Sequence, residues 1–173
     1  ERCSEILKKL TLNPTIEDDF IDKNLTISDY INEIVKSFQE ISSKKFIVNQ
    51  DQNLNLITIT KSIEIVYGLR NFIGNANKFA NSKIFINTKS DSNFTEIVIE
   101  DDGGGYPKDV LNKIGEPYIR SFKPSEKSKS GLGLGIFIGK TLLEKNYANI
   151  LCRNSKTRSG AEVSIKWKNK DLL

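Results

Sequence analysis

The sequence predicts an α+β fold, a two-layer α/β sandwich in which a mixed, mostly antiparallel sheet is covered by helices on one face. Three observations predict it. Periodic segments run in the order helix, two strands, helix, two strands, a long irregular stretch, helix, two strands. Strand pairs separated by helices place a helical layer on a sheet, because each must bury an apolar face against a partner. The strict strand–helix alternation of a doubly wound parallel sheet is missing.

At the start of the chain, Glu1 to Leu10 carries Cys3, Ile6, Leu7 and Leu10 at helical spacing. This helix opens without a capping residue, so it is expected to begin further upstream in a longer protein. Pro14 and the acidic pair Asp18 and Asp19 mark a linker. The expected division is therefore a helical remnant at 1–12, a linker at 13–25 and a domain at 26–173. Thr26 or Ser28 can cap a second helix carrying Ile31, Ile34, Val35, Phe38 and Ile41 on one side. Phe46–Asn49 and Leu56–Ile59 flank a polar turn and are expected to form a hairpin. Ser62–Ala80 is the longest helix, with Ile65, Val66, Leu69, Phe72, Ile73, Ala76 and Ala80 in its core stripe. Lys83–Thr88 and Phe94–Asp101 read as strands, Gly133–Asn146 as a helix, and Ala148–Arg153 and Ala161–Trp167 as closing strands. Between them, Asp102–Ser130 is rich in Gly, Pro, Ser and Lys, with one short helix expected near Lys108–Lys113. So long an irregular stretch is functional or mobile.

Composition narrows the function. With 28% charged and 38% hydrophobic residues the chain reads as an ordinary globular domain. A net charge of +4 on scattered lysines argues against a nucleic-acid partner, which needs a clustered basic face. No apolar run approaches the ~20 residues of a membrane span. The absence of Met fits a piece of a longer protein, and the absence of His removes the commonest general base and metal ligand. Cys3 and Cys152 form no CxxC pair and read as reduced thiols.

Three constellations carry chemistry. In Asp101-Asp102-Gly103-Gly104-Gly105, side-chain alternation places Asp101 at the end of the face that buries Ile97 and Ile99. A buried carboxylate needs a donor, and an adenine amino group is a suitable one. Gly103 and Gly105 let the backbone turn and approach a flat base. In Ser130-Gly131-Leu132-Gly133-Leu134-Gly135, a glycine-rich loop runs into a helix N-terminus, where free N–H groups and the helix dipole favour phosphate. A phosphate-binding P-loop signature is not present. On the long helix, Asn71, Asn75 and Lys78 lie within ~60° of one another, on the side opposite the core stripe. Taken alone this is a solvated face. Functionally, the amide oxygens suit a hydrated Mg²⁺ and the lysine a phosphate.

Together and in order, these segments resemble the boxes of sensor histidine kinases. Asn71-Phe-Ile-Gly-Asn75-Ala-Asn-Lys78-Phe79 resembles the N box, Asp101-x-Gly103-x-Gly105 the first glycine box, Glu116-Pro117-Tyr118-Ile119-Arg120 the F box, and Gly131-Leu132-Gly133-Leu134 the second glycine box. The resemblance implies the Bergerat, or GHKL, sandwich, with ATP held between the long helix and a mobile lid. It implies that Asp101 reads the adenine amino group, that Gly103 and Gly105 shape the base pocket, and that Phe79 packs near the purine, against a reading of Phe79 as plain core. Asn75 and Asn71 would serve Mg²⁺, Lys78 and Arg120 the terminal phosphates, and Gly131 to Leu134 the lid and its N–H donors. Ile65-Val66-Tyr67-Gly68-Leu69, Ile114-Gly115-Glu116-Pro117-Tyr118 and Phe137–Glu144 look like the RegB/PrrB branch of redox-responding kinases, as does the Arg2-Cys3 helix.

For function, the resemblance implies transfer of the ATP γ-phosphate to a histidine on an upstream dimerisation hairpin, with a homodimer and a response regulator in the full system. It implies a cytoplasmic domain of an inner-membrane-anchored bacterial kinase, and it makes Cys3 a candidate redox residue. Gly115 departs from the F box, where most relatives have Phe, and Lys129 departs at the second glycine box. Three rival readings are a GHKL-fold ATPase, an anti-sigma-type serine kinase and a nucleotide-free interaction module. Hydrolysing relatives have a Glu where Asn71 stands, and an amide cannot act as that base.

Overall fold

The computed structural model describes residues 25–51, 62–117 and 134–172. The helix expected at Glu1–Leu10 with Cys3, the linker up to Asn24, the strand expected at Leu56–Ile59, and residues 118–133 with Arg120, Gly131, Leu132 and Gly133 lie outside them. The described elements are α1 (Ile27–Gln39), β1 (Lys45–Asn49), α2 (Ile63–Phe79), β2 (Lys83–Ser90), β3 (Phe94–Asp101), α3 (Lys108–Leu111), α4 (Gly135–Lys145), β4 (Asn149–Asn154) and β5 (Ala161–Lys168). A single 3₁₀ turn, Asn169–Asp171, follows β5.

The sheet has strand order β1-β2-β3-β5-β4. β1 runs parallel to β2, and the other neighbours are antiparallel. This is the expected mixed, mostly antiparallel sheet. The expected hairpin partner of β1 is not its described neighbour: β1 pairs with β2, reached through α2, as a parallel pair requires.

One sheet face is the core face. Ile86, Ile99 and Val163 lie side by side across three strands, as do Thr88, Ile97 and Ile165, then Thr95 and Trp167. All are buried against α1, α2 and α4. Cross-strand packing of β-branched and aromatic side chains stabilises such pairs by roughly 0.2–1 kcal/mol each. The opposite face closes its charges in pairs. Arg153 Nε donates to Glu162 Oε1 at 2.6 Å, and Ser164 donates to Glu96 at 2.6 Å.

The helices begin where their caps stand. Thr26 accepts from Asp29 N while Asp29 returns a bond to Thr26 N, a complete capping box. Ser62 caps α2 by accepting from Ile65 N at 3.3 Å. The α2 core stripe is buried as expected, from Ile65 to Ala80. Ile41 is a correction: it lies past the end of α1 and is 75% exposed. Helix α4 starts at Gly135, two residues later than expected. Its C-terminal end is tied to the start of α2, where Glu64 pairs with Lys145 at 2.5 Å and Asn146 bonds both Ser62 and Glu64.

Candidate functional site

Helix α2 lies against α4 through glycines. A Cβ on Gly68 would stand 2.5 Å from Leu143 Cγ, and one on Gly139 would stand 3.0 Å from the Phe72 ring and 3.2 Å from Asn71 Cβ. Real Cβ atoms essentially never come closer than 3.0 Å, so at Gly68 something would have to shift, while at Gly139 the contact would be tight. The consequence of this approach is positional. The first residue of α4, Gly135, is brought against the Asn75 amide, with a would-be Cβ 3.0 Å from Nδ2. Asn71 and Asn75 therefore do not point into open solvent away from the protein, as the solvated-face reading has it. They line the seam between α2 and the N-terminus of α4.

The two amides differ in commitment. Asn71 Nδ2 donates to Tyr67 O at 2.8 Å, which directs its oxygen away from the helix backbone. Asn75 Nδ2 is buried and has no hydrogen-bond partner among the described residues. An orphaned buried amide costs about 1–3 kcal/mol. The cost is sustained beside a helix N-terminus, where N–H groups favour an anion, and α4 carries no side-chain cap there. The amide oxygens are the hard donors that a hydrated Mg²⁺ accepts, so the residues present fit the ion.

One turn further along α2, Phe79 is 43% exposed, which overturns the plain-core reading. The Lys78 ammonium lies 5.2 Å from its ring centroid. Lys44, a residue that sequence reading passed over, reaches the last turn of α2 and donates to Asn77 O and, at 3.4 Å, to Lys78 O. A cation among those carbonyls complements the helix dipole.

Asp101 is 3% exposed, at the end of the core face as alternation requires. Its Oδ1 accepts from Gly103 N at 2.8 Å and from Ala161 N at 3.3 Å. Among the described residues its other oxygen accepts nothing. Burial pushes its pKa above the ordinary 3.8, while the two N–H donors and the Lys44 charge hold it back. Gly103 is needed for closeness: a Cβ there would overlap Phe79 O, well inside 3.0 Å. Gly105 is needed for conformation, with φ +72°. Asp102, also unread in the sequence, faces outward and gathers the turn after α2. It accepts from Asn81 N at 2.8 Å, Ser82 N at 2.9 Å, Ser82 Oγ at 2.6 Å and Lys83 N at 3.0 Å. Desolvation opposes its ionisation, but these donors outweigh it and hold the carboxyl far below its usual range.

Beyond the glycines the chain is held as far as Pro117. Tyr106 N donates to Asn154 Oδ1 at 2.6 Å, and Asn154 Nδ2 returns a bond to Tyr106 O at 3.0 Å. Gly115 adopts φ +93° with Lys140 packed on it, a would-be Cβ 2.8 Å from Cδ. A side chain in place of Gly115 would meet both obstacles, which accounts for the departure from Phe. Cys152, expected in the core, is half-buried at its rim and bonded to the Tyr106 side chain. Burial pushes its thiol up to about 11, so it is a poor thiolate.

The order of these parts along one helix and past the end of the central strand defines a nucleotide-binding domain of the ATPase kind. Residues 60–171 match the model of the histidine kinase-, DNA gyrase B-, and HSP90-like ATPase family, and the chain belongs to that family. Among curated proteins it is similar to the sensor histidine kinase RegB of Cereibacter sphaeroides, 37% identical over 125 residues, covering 63% of this chain and 27% of RegB. It is also similar to the sensor protein RstB of Escherichia coli, 27% identical over 99 residues, covering 57% of this chain and 23% of RstB. The chain thus spans about a quarter of the length of these relatives. Among solved structures it shares its fold with the mycobacterial sensor histidine kinase MprB, at 19% identity and TM-score 0.68, covering 83% of this chain and 96% of that one. A full-length ShkA structure in complex with AMPPNP matches at 19% identity and TM-score 0.66, covering 84% of this chain and 30% of that one. The expected GHKL fold and the RegB-like resemblance both stand. Among the described residues no helix is long and apolar enough to cross a membrane.

Proposed function

We propose that this domain binds Mg-ATP and delivers the γ-phosphate to a histidine on a dimerisation hairpin of a sensor histidine kinase. The observation that carries the reading is a buried, half-satisfied carboxylate at Asp101 together with an orphaned amide at Asn75, one helical turn before Phe79. The first suits a planar amino donor; the second, an unpaired N–H donor, suits a phosphate oxygen, while the amide oxygen of the same side chain suits a hydrated cation.

In this reading Asp101 accepts from the adenine amino group, Gly103 and Gly105 keep side chains off the base, and Phe79 covers it. Asn75 and Asn71 hold Mg²⁺, which when bound supplies positive charge at the phosphates. Lys78 and Arg120 add charge where it builds up in transfer, and Gly131, Leu132, Gly133 and Leu134 supply N–H groups and a lid. The chain contains no His, so the acceptor belongs to another segment or chain. Asn71 offers no base for water, which favours transfer over hydrolysis. The reading extends, by the resemblance of the sequence boxes, to a homodimeric, membrane-anchored bacterial kinase acting on a response regulator, with this domain on the cytoplasmic side. Cys3 remains the candidate redox residue.

The test is titration with a non-hydrolysable ATP analogue, with and without Mg²⁺, followed by labelling from radioactive ATP of a separate hairpin that supplies the histidine. Saturable Mg-dependent binding and acid-labile label on the hairpin alone support the proposal. Label on this chain, or rapid hydrolysis without transfer, refutes it.

A further inference from the structure

The turn between β4 and β5 presses on Asp101 from the side away from α2. It spans Ser155–Gly160, closed by Ser155 N donating to Gly160 O at 2.8 Å. A Cβ on Gly160 would overlap the Asp101 carbonyl oxygen and carboxylate, well inside 3.0 Å. Because the carbonyl is backbone, no side-chain rotation relieves that overlap. Gly160 has no positive φ, so contact alone demands glycine here. The next residue, Ala161, donates its N–H to Oδ1 at 3.3 Å.

The turn is held rigid from the opposite sheet face. The Ser155 hydroxyl donates to Glu100 Oε1 at 2.8 Å and accepts from Arg158 N at 3.1 Å. Arg158 Nε reaches Glu100 Oε2 at 3.3 Å, and its guanidinium lies 3.6 Å from the Phe85 ring centroid. Ser159 is held at φ +64°, an uncommon conformation for a non-glycine residue. Such strain persists only where the surroundings over-determine it.

We propose that Gly160 and the Ala161 N–H are positioning residues for nucleotide specificity. Gly160 allows the close approach, the Ala161 N–H saturates Oδ1 together with Gly103 N, and the remaining oxygen of Asp101 is thereby turned toward the amino group of the base. The Ser155–Glu100–Arg158 network is the frame that holds them. This rests on the reading of Asp101 as the adenine acceptor. It predicts that discrimination for a 6-amino purine depends on a turn that does not touch the base.

The experiment compares affinity for ATP with affinity for purine ribonucleoside triphosphate, which lacks only the 6-amino group. Wild type is expected to prefer ATP by roughly 10-fold, the value of one buried hydrogen bond to a charged group. Gly160→Ala is expected to lose most of that preference, through weaker ATP binding, with the analogue bound as before. Ser155→Ala, which loosens the frame without crowding Asp101, is expected to lose part of it and decides the matter if Gly160→Ala does not fold. Equal weakening of both nucleotides, or an unchanged ratio in the folded variants, overturns the inference. A wild type that does not discriminate overturns the Asp101 reading itself.

Discussion

The adenine side and the phosphate side of the proposed site are built in opposite ways. On the adenine side Asp101 sits on a sheet strand, is nearly inaccessible, and has one oxygen fixed by two backbone donors. On the phosphate side Asn75 sits on a helix facing an uncapped helix start, with its amide nitrogen unpaired among the described residues. The base site is organised before ligand arrives, whereas the phosphate site holds polar groups that a ligand would complete. A planar base rewards a rigid acceptor, because a misplaced one loses the whole hydrogen bond. A Mg²⁺ ion that keeps most of its waters needs few protein ligands, so its side of the site can stay open until ligand arrives.

The contrast breaks most sharply with Asp101→Asn. The amide oxygen still accepts from Gly103 and Ala161, but its nitrogen meets the base amino group donor to donor. ATP affinity is expected to fall ~5- to 150-fold, from an unmade buried hydrogen bond worth ~1–3 kcal/mol. Stability is expected to hold or rise, because the variant removes a desolvated charge. Calorimetric titration and a thermal melt on one sample check both halves. A folded variant with wild-type ATP affinity would falsify the assignment.

Asn75→Ala tests the other side. It removes the orphaned amide, so the apo domain should lose little stability, a sign rarely seen at a buried position. Affinity for Mg-ATP should drop ~10-fold, as for a lost ligand worth ~1.4 kcal/mol, while affinity without Mg²⁺ should change much less. If binding weakens equally with and without Mg²⁺, Asn75 does not serve the ion.

A pH titration sharpens the comparison. The raised pKa of Asp101 means that its protonated form is favoured in the folded state. Its contribution to apo stability is therefore complete below 3.8 and lost as pH rises through the raised folded value. Nucleotide binding needs the carboxylate, so ATP affinity should decline on acidification before ordinary carboxylates titrate. In Asp101→Asn that acid limb should vanish, and a limb that survives belongs to another group.

How much of this was legible in the sequence follows the same division. The α2 stripe, the alternation that places Asp101, and the glycine clusters are local patterns of period 3.6 or 2, and local patterns survive into the fold. The contacts that assemble the site are between distant segments. Nothing in Ser159-Gly160-Ala161 names Asp101 as its neighbour, although a glycine at a strand start does signal a close approach. Nothing local marks Gly68 and Gly139 as contact positions; the meeting of α2 and α4 there appears only in the fold. Ile41 continued the α1 period in sequence, but the helix had already ended. Nothing in the sequence marks Lys44 or Asp102, and only the fold shows that each ends on backbone groups around Phe79.

Asp102 supplies the smallest expected effect and the subtlest test. It contacts no part of the proposed ligand, yet its carboxylate collects the N–H groups of Asn81, Ser82 and Lys83 just after Phe79. Asn81 Nδ2 returns a bond to Asp102 O at 2.6 Å, so the turn and the strand end are cross-tied. The pKa is depressed, so the stabilisation is present above 3.8 and is lost as pH falls toward the folded value. Asp102 is partly exposed, which discounts each charged bond, so Asp102→Ala should cost about 1 kcal/mol of stability at neutral pH. The cost should shrink in acid, where the wild type loses the same bonds. ATP affinity should fall only ~2- to 3-fold, through a looser Phe79, an effect well under 1 kcal/mol. Denaturant melts at two pH values and one titration measure all three quantities. A loss of ATP affinity as large as that of Asp101→Asn would mean that Asp102, too, meets the nucleotide.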